Sequence, residues 1–274
     1  WPSAPPNGGS TIGWPVPTWG GVEVPVSGSM SLWPLLNTLQ FAFIFGWTGF
    51  WIVLALIVSL VTRSRRVPLA MARHLWAPGI VAAAAARLEV RGLEHLDLDG
   101  AYYFASNHQS LGDIPVLYAA LPFPLRFVAK RELARIPFLG WYIRAMGMVT
   151  IDRRNRTSGY AGIHRAAELL RDGAAILTFP GGTRSRDGSV GRFKTAGFMA
   201  PIEAGAPVVP VALWGAHEVL PPRTFRLRPG TVGVAVGRPI STEGLEPRDR
   251  RVLARECQDA VETLQRELRA NISP

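Results

Sequence analysis

A histidine and an aspartate follow an apolar run of the chain, within SNHQSLGD from Ser106. Imidazole is the natural general base at neutral pH, because its unperturbed pKa is about 6.5. Asp113, five positions after His108, can reach back across a strand-to-helix turn and fix the ring tautomer. If His108 deprotonates an alcohol of the substrate, no serine or cysteine nucleophile is required. Such pairs also arise by chance, so the spacing alone predicts only a candidate base.

Two further runs offer groups that bind anions. FPGGTRS, from Phe179, combines glycines that let backbone amides approach an anion with the donors Thr183, Arg184 and Ser185. A plain surface turn is the alternative for Pro-Gly-Gly. IDRR, from Ile151, is a candidate phosphate clamp, and an exposed charged strand end is its alternative.

Seven short runs with strand character must position these groups. They begin at Leu88, Ala101, Leu125, Met148, Ala174, Val208 and Thr231. Helical stretches over 159–172 and 247–270 alternate with several of them. The pattern predicts one α/β domain over 88–274, with a mixed, mostly parallel sheet of about seven strands flanked by helices.

A long uncharged segment precedes this domain. The run over 41–61 has 21 residues, of which only two glycines, a threonine and a serine are not strongly apolar. About 20 such residues suffice to cross the hydrocarbon core of a bilayer, so we expect residues 35–61 to be membrane-embedded. A buried helix of a soluble core is the alternative. The arginines that follow at 63, 65 and 66 predict a catalytic domain on the cytoplasmic side of the cell inner membrane.

The neighbouring segments are less apolar. Residues 68–87 predict a second helix, broken at Pro78-Gly79 and lying in the membrane interface, with an alanine-rich linker helix as the alternative. Residues 30–87 are thus predicted to form a membrane-embedded helix pair. Residues 1–29 are rich in Gly, Pro, Ser and Trp and predict a flexible lead. A natural start at Met30 and an extended N-terminus both stay open.

Composition excludes several classes of protein. The formal net charge is +10, and only Lys130 and Lys194 among the 30 basic residues are lysines. This charge favours anionic partners, but the arginines are scattered and no nucleic-acid motif is present, so no nucleic-acid partner is predicted. A single cysteine, Cys257, excludes an internal disulfide framework and multi-cysteine zinc sites, and no metal site is predicted.

Four ordered blocks resemble the glycerolipid acyltransferases, the family of 1-acyl-glycerol-3-phosphate acyltransferases. The signature of that family is N-H-x-x-x-x-D, G-x-x-x-I-D-R, F-P-E-G-T-R-S and a V-P-V strand. This chain has NHQSLGD from Asn107, GMVTIDR from Gly147, FPGGTRS from Phe179 and VVPVAL from Val208. The segment FVAKRELARIPFLGW from Phe127 is also similar. The likeness covers roughly residues 68–245.

The resemblance implies an O-acyltransferase without a cofactor. His108 would take the proton of the free hydroxyl of a lysophospholipid, Asp113 would orient His108, and the hydroxyl would attack an acyl thioester. The implied acceptor is 1-acyl-glycerol-3-phosphate, which gives phosphatidic acid, and the donor is acyl-CoA or acyl carrier protein (acyl-ACP). Membrane lipids are the implied surroundings. The substrate-binding positions implied by the resemblance are Asn107, Lys130, Arg153, Gly181, Gly182, Thr183 and Arg184.

One position departs from the family pattern: Gly181 stands where the family has glutamate. An altered acceptor, an introduced substitution and replacement of the carboxylate by a neighbour such as Asp187 are three explanations that stay open. Two alternative functions follow. The chain could acylate another lysolipid, such as lyso-ornithine lipid or a glycolipid, or it could bind lipid with an impaired site.

Overall fold

The computed structural model describes residues 32–152, 156–222 and 224–272. Within them, seven strands form one sheet in the order β1-β7-β6-β2-β5-β3-β4. The strands are β1 (Ala86–Arg91), β2 (Tyr103–Ser106), β3 (Leu125–Lys130), β4 (Val149–Ile151), β5 (Ala175–Thr178), β6 (Val208–Trp214) and β7 (Gly230–Val236). Only the β6–β7 pair is antiparallel among these strands, and the other neighbours run parallel. The predicted fold class is confirmed.

Each strand begins within two residues of its predicted position. The strands β2 and β5 lie in the middle of the sheet, and all four residues of each are buried. Strands covered on both faces read as continuous apolar runs, which is why sequence reasoning finds them.

Helices cover both faces of the sheet. They are α1 (Trp33–Thr62), α2 (Arg66–Met71), α3 (Ala77–Ala83), α4 (Asp113–Ala120), α5 (Leu139–Ala145), α6 (Arg156–Arg171), α7 (Met199–Ala204), α8 (Ala216–Val219) and α9 (Arg250–Ile272). One core packs α2, α3 and α4 against the sheet, and a second core packs α6, α7 and α9 against it. The helix predicted over 159–172 begins earlier, and the one predicted from 247 begins with a 3-10 turn, Pro247–Asp249. The helix implied after the His108 turn, for which no bounds were predicted, is α4, whereas α5, α7 and α8 were not predicted.

Helix α1 is the one helix in the described part of the chain that is long and apolar enough to cross a membrane, by length and composition. Its 30 residues have an 18-residue window of mean hydropathy 2.3, of which 6% is buried. Thirty residues at 1.5 Å each extend about 45 Å, more than the ~30 Å hydrocarbon core of a bilayer. The predicted flexible lead over 1–29 and Met30 lie outside the described residues.

The helical backbone continues through Pro78-Gly79, where a break was predicted. A π-helical turn, Ala72–Trp76, joins α2 to α3, and Pro78 occupies the first turn of α3, where a missing N–H is tolerated. Gly79 is required for a close approach, because a Cβ there would lie 2.5 Å from Trp47 Nε1. Trp47 in turn donates a 3.1 Å hydrogen bond to the Trp76 carbonyl. These contacts hold α1 against the turn.

The carboxyl ends of β2, β5, β3 and β4 meet at one edge of the sheet, because these four strands are mutually parallel. The His108 run follows β2, the Phe179 run follows β5 and the Ile151 run ends β4. Ligands of open α/β sheets bind at this edge. The fold therefore brings the three runs together.

Candidate active site

His108 and Asp113 form a hydrogen-bonded pair between β2 and α4. His108 Nδ1 lies 2.6 Å from Asp113 Oδ2. The Asp113 side chain is fully buried, whereas 18% of the His108 side chain is exposed. With Nδ1 engaged by the carboxylate, Nε2 is the ring nitrogen available to a substrate hydroxyl.

The Asp113 carboxylate is held mainly through a single oxygen. Asp113 Oδ2 accepts the backbone N–H of Gln109 at 2.6 Å and that of Ser110 at 2.9 Å, in addition to His108. Asp113 Oδ1 is buried and has no hydrogen-bond partner among the described residues. The backbone of the turn thus fixes the carboxylate, and the carboxylate fixes the imidazole.

The loop after β5 packs directly on His108. The Phe179 ring stacks on the imidazole with centroids 4.1 Å apart and planes inclined by 16°. Ser185 N donates a 2.8 Å hydrogen bond to the His108 carbonyl oxygen. The first and third sequence blocks therefore form one unit around the histidine.

Asn107 is buried rather than facing a substrate. Its amide nitrogen donates to the Leu213 carbonyl at 3.0 Å, and its amide oxygen accepts from Leu213 N at 2.7 Å. The side chain is 2% exposed and ties the end of β2 to β6. It is not part of the lining of the cavity that adjoins His108.

A cavity of about 1230 Å³ adjoins His108. Its walls are largely apolar and come from α1, the π-helical turn, β3, α5, α6 and α7. Five basic residues line the same cavity: Lys130, Arg184, Arg186, Lys194 and Arg250. A largely apolar cavity with cations beside a histidine suits a molecule that has a fatty chain and an anionic head.

Residues 87–214 match the family model described as Acyltransferase. A 1-acyl-sn-glycerol-3-phosphate acyltransferase from Pseudomonas aeruginosa is 33% identical over 235 residues, which are 85% of this chain and 87% of that protein. The alpha form from Homo sapiens is 32% identical over 230 residues, 84% of this chain and 81% of that protein. The chain belongs to the 1-acyl-sn-glycerol-3-phosphate acyltransferase family.

Other comparisons agree on the family. A crystal structure of the 1-acyl-sn-glycerophosphate (LPA) acyltransferase PlsC from Thermotoga maritima superposes with a TM-score of 0.74 at 30% identity, covering 86% of this chain and 96% of that one. The chloroplastic 1-acyl-sn-glycerol-3-phosphate acyltransferase BAT2 of Brassica napus is 36% identical over 156 residues, 56% of this chain. The match covers only 45% of that plant protein, so this chain spans about half the length of its chloroplast relatives.

The structure gathers most of the positions implied by the family pattern. Lys130, Gly182, Thr183 and Arg184 line the cavity together with His108. Gly181 does not line it, although Pro180 and Gly182 on either side do. Arg153 lies outside the described residues, so its role as a phosphate ligand stays a prediction.

Three cavity cations, Arg186, Lys194 and Arg250, were missed by sequence reasoning. All three follow the FPGGTRS block in the chain and lie outside the family signature. One signal was available, because Lys194 and Lys130 are the two lysines of an arginine-rich chain, and both reach the same cavity.

Asp187, a suggested substitute for the family glutamate, is engaged within its own loop. Its Oδ1 accepts hydrogen bonds from Ser189 Oγ at 2.6 Å and Ser185 Oγ at 2.7 Å. These bonds, with the Ser189 backbone N–H, hold the pKa of this carboxyl well below its usual range. Asp187 is not part of the cavity lining, so its visible role is to fold the loop.

Arg184 is predicted to make a charge-assisted contact to the phosphate of the acceptor. Its replacement by glutamine removes that contact and should raise KM for 1-acyl-glycerol-3-phosphate about tenfold. KM for a monoacylglycerol, which has no phosphate, should change much less. Steady-state kinetics on both acceptors measure the difference.

Arg192→Gln is the matched control for Arg184→Gln, because Arg192 is exposed on the same loop and does not line the cavity. An equal rise of KM for the two acceptors would contradict a phosphate role for Arg184.

Proposed function

We propose that this chain transfers a fatty acyl group from acyl-CoA or acyl-ACP to the free hydroxyl of 1-acyl-glycerol-3-phosphate, giving phosphatidic acid. The observation that carries the proposal is the hydrogen-bonded His108–Asp113 pair beside a largely apolar cavity that also holds Lys130 and Arg184. Family membership adds support, since relatives of this name match over most of the chain.

In the proposed reaction His108 is the general base. Its Nε2 takes the proton of the acceptor hydroxyl while the hydroxyl oxygen bonds to the thioester carbonyl carbon. The C–S bond then breaks, and the imidazolium returns the proton to the departing thiolate, so the free thiol and the new ester are the products. The buried carboxylate of Asp113 stabilises the imidazolium between these two steps.

The cations of the cavity would hold the acceptor in place for this reaction. Lys130 lies at the end of β3, and Arg184 and Arg186 lie on the loop after β5, so two different elements of the cavity wall offer positive charge. A phosphate held there brings the glycerol hydroxyl, a few bonds away, to the histidine. Such positioning converts a bimolecular encounter into an effectively unimolecular step. Arg153 is proposed to join these cations.

Acylation of a different lysolipid is the second candidate function, and Gly181 is the observation that favours it. The carboxylate at this family position is missing, and Asp187 is occupied by its own loop. Lyso-ornithine lipid and a lysoglycolipid are the acceptors to compare. A lipid-binding protein with an impaired site is less well supported, because the His108–Asp113 pair is intact.

The deciding experiment is an assay of the purified full chain in detergent. Each of a panel of lysolipids is offered with acyl-CoA and with acyl-ACP, and esterified product and released thiol are quantified together. We expect 1-acyl-glycerol-3-phosphate to have the highest kcat/KM. Release of thiol with no acylated lipid from any acceptor would overturn the proposal, and a higher value for another acceptor would select the second candidate.

Replacing Gly181 by glutamate should raise kcat/KM for 1-acyl-glycerol-3-phosphate about fivefold, since the block regains a charged contact of the family. A Cβ at this position is tolerated, because it would meet the backbone of Gly191 at an ordinary 3.6 Å. Steady-state kinetics with lyso-ornithine lipid as a second acceptor measure the change.

The control for Gly181→Glu is Gly181→Gln, which adds a side chain of the same size at the same position without the charge. If the glutamate at 181 lowers kcat/KM at unchanged protein stability, it repels a phosphate held by Arg184. The pocket would then be specialised for another acceptor.

We further propose that, of the predicted membrane unit over 30–87, α1 is embedded in the membrane, while α2 and α3 pack against the sheet and the catalytic domain lies on the cytoplasmic side of the inner membrane. The exposed apolar surface of α1 supports this: Leu60 is 80% exposed, Val61 76% and Phe45 65%. Contiguous apolar surface of this kind needs a partner, and lipid is the partner that suits a helix of this length.

The full chain, expressed in bacteria, should remain in the membrane pellet after a carbonate wash and should be released by detergent. Burial of the apolar surface of α1 in lipid is the reason. Immunoblots of the two fractions measure the partition. Recovery of the chain in the carbonate supernatant would contradict membrane embedding.

A further inference from the structure

The residues 181–193 after β5 form a loop that we call the anion loop, because it carries Arg184 and Arg186 to the cavity. The base of the loop is closed by a 3.1 Å hydrogen bond from Lys194 N to the Pro180 carbonyl. The far part of the loop is held by other elements of the fold. These contacts decide where the two arginines lie relative to His108.

Two buried glutamines hold the same carbonyl of the anion loop. The Gly188 carbonyl accepts from Gln109 Nε2 at 2.9 Å and from Gln265 Nε2 at 2.8 Å. Both Nε2 atoms also lie 3.0 Å from the carbonyl oxygen of Leu213 at the end of β6. Gln109 is 0% exposed and Gln265 8% exposed. The two glutamines therefore connect the anion loop to β6, to α9 and to the turn that follows the catalytic histidine.

The orientation of the Gln109 amide follows from its two carbonyl partners. The carbonyl oxygens of Gly188 and Leu213 can only accept, so they face Nε2, which donates. Gln109 Oε1 then lies 3.3 Å from His217 Nδ1. The tip of the loop is equally constrained, because Gly188 has φ +79° and a Cβ there would lie 2.6 Å from His217 Cε1.

Helix α9 holds the anion loop at a second point. Gln258 Oε1 accepts a 2.8 Å hydrogen bond from the backbone N–H of Phe193. Gln258 and Gln265 are seven residues apart, so they lie on one face of the helix. Gln265 stands among the buried positions of α9, where its neighbours in the core are Val261 and Leu268. A polar side chain at such a position needs partners, and the anion loop supplies one of them.

We propose that Gln265 and Gln109 are positioning residues that set the anion loop, with Arg184 and Arg186, against His108. Gln265 lies outside residues 87–214, which match the family model, so the role belongs to the C-terminal helix of this chain. The inference rests on the proposed acyl transfer, because it concerns how the acceptor head is held. Loss of either glutamine removes one of the donors to the Gly188 carbonyl and so weakens the hold on the anion loop, although the other glutamine remains.

The test is Gln265→Met, which keeps the length and shape of the side chain and removes both donors. KM for 1-acyl-glycerol-3-phosphate should rise about tenfold, while kcat and KM for the acyl thioester should change less than about threefold. Glu267→Gln, at an exposed position of the same helix, is the control and should change none of these constants. Gln265→Asn, whose amide cannot reach both carbonyls, is the milder variant if the methionine protein does not fold.

A second measurement does not depend on turnover. Amide hydrogen exchange in the anion loop should become at least about tenfold faster in Gln265→Met, and exchange in β2 and β5 should stay as in the unmodified chain. Adding Gln109→Met should speed exchange less than the product of the single effects, because both donors serve one carbonyl.

The outcomes separate this inference from the proposed function. If the unmodified chain acylates no lysolipid, the proposed function fails. Faster exchange in the anion loop of Gln265→Met would still support the positioning role of the two glutamines. If the chain is active and Gln265→Met leaves KM for the acceptor and loop exchange unchanged, the positioning role is wrong. If Gln265→Met raises KM for both substrates and lowers kcat by similar factors, and also lowers Tm, then Gln265 only stabilises the core.

Discussion

Replacing His108 by alanine is expected to lower kcat for acyl transfer about 10⁴-fold, the upper range for a general base. Among the described residues that line the cavity, only His108 is paired with a buried carboxylate, that of Asp113. The cations that would bind the acceptor are untouched by the change, so lysolipid binding should persist. Single-turnover kinetics and equilibrium binding of 1-acyl-glycerol-3-phosphate separate the two effects.

The matched control for His108→Ala is His164→Ala. His164 is paired with Glu203 at 2.9 Å on the surface of α6, and 63% of its side chain is exposed. Its removal should leave kcat unchanged. Near-normal turnover of the His108 variant would exclude the proposed mechanism, and loss of lipid binding together with turnover would make His108 a binding residue.

The second large effect is expected for Asp113→Asn, which should lower kcat about 10³-fold. Its carbonyl oxygen can replace Asp113 Oδ2 and keep all three N–H contacts, from His108, Gln109 and Ser110. The tautomer is then preserved, and what is lost is the negative charge that stabilises the imidazolium. The amide nitrogen would take the place of Oδ1, which has no hydrogen-bond partner within the described segments. Presteady-state acyl transfer measures the loss.

Comparison with Asp113→Ala shows how much the charge contributes. Alanine removes the contacts as well as the charge, so kcat should fall further than in Asp113→Asn, and Tm should drop because two backbone N–H groups lose their acceptor. Equal kcat values in the two variants would mean that orientation contributes nothing beyond charge. An asparagine variant with normal turnover would remove Asp113 from the mechanism.

Much of the fold could be predicted from the sequence because the central strands are buried on both faces. β2 and β5 read as largely apolar runs, and β6 begins at the predicted Val208. The extent of helix α4 was not predicted, for a related reason. Its residues are buried almost all round, so its sequence lacks the polar face from which an amphipathic helix is recognised.

The part of the candidate site that could be predicted is the part whose interacting residues lie within one short sequence block. His108 and Asp113 are five residues apart, and their contact needs only a turn. Gln265 is 156 positions beyond Gln109 in the chain and meets the same carbonyl only in the folded protein. The sequence does contain a hint of the role of Gln265. It follows Cys257 and Val261 at the four-residue spacing of the buried face of α9, where an apolar residue is expected.

The cavity beside His108 has a consequence for the stability of the folded chain. An amphiphile that enters the cavity makes dispersion contacts along its apolar walls, and it can do so only in the native state. A ligand at 100 times its Kd adds about 2.7 kcal/mol to the free energy of unfolding. The melting temperature of the purified chain is therefore tied to the detergent or lipid around it. A thermal-shift series over a lysolipid panel would rank acceptors without any turnover, even in the inactive His108→Ala protein.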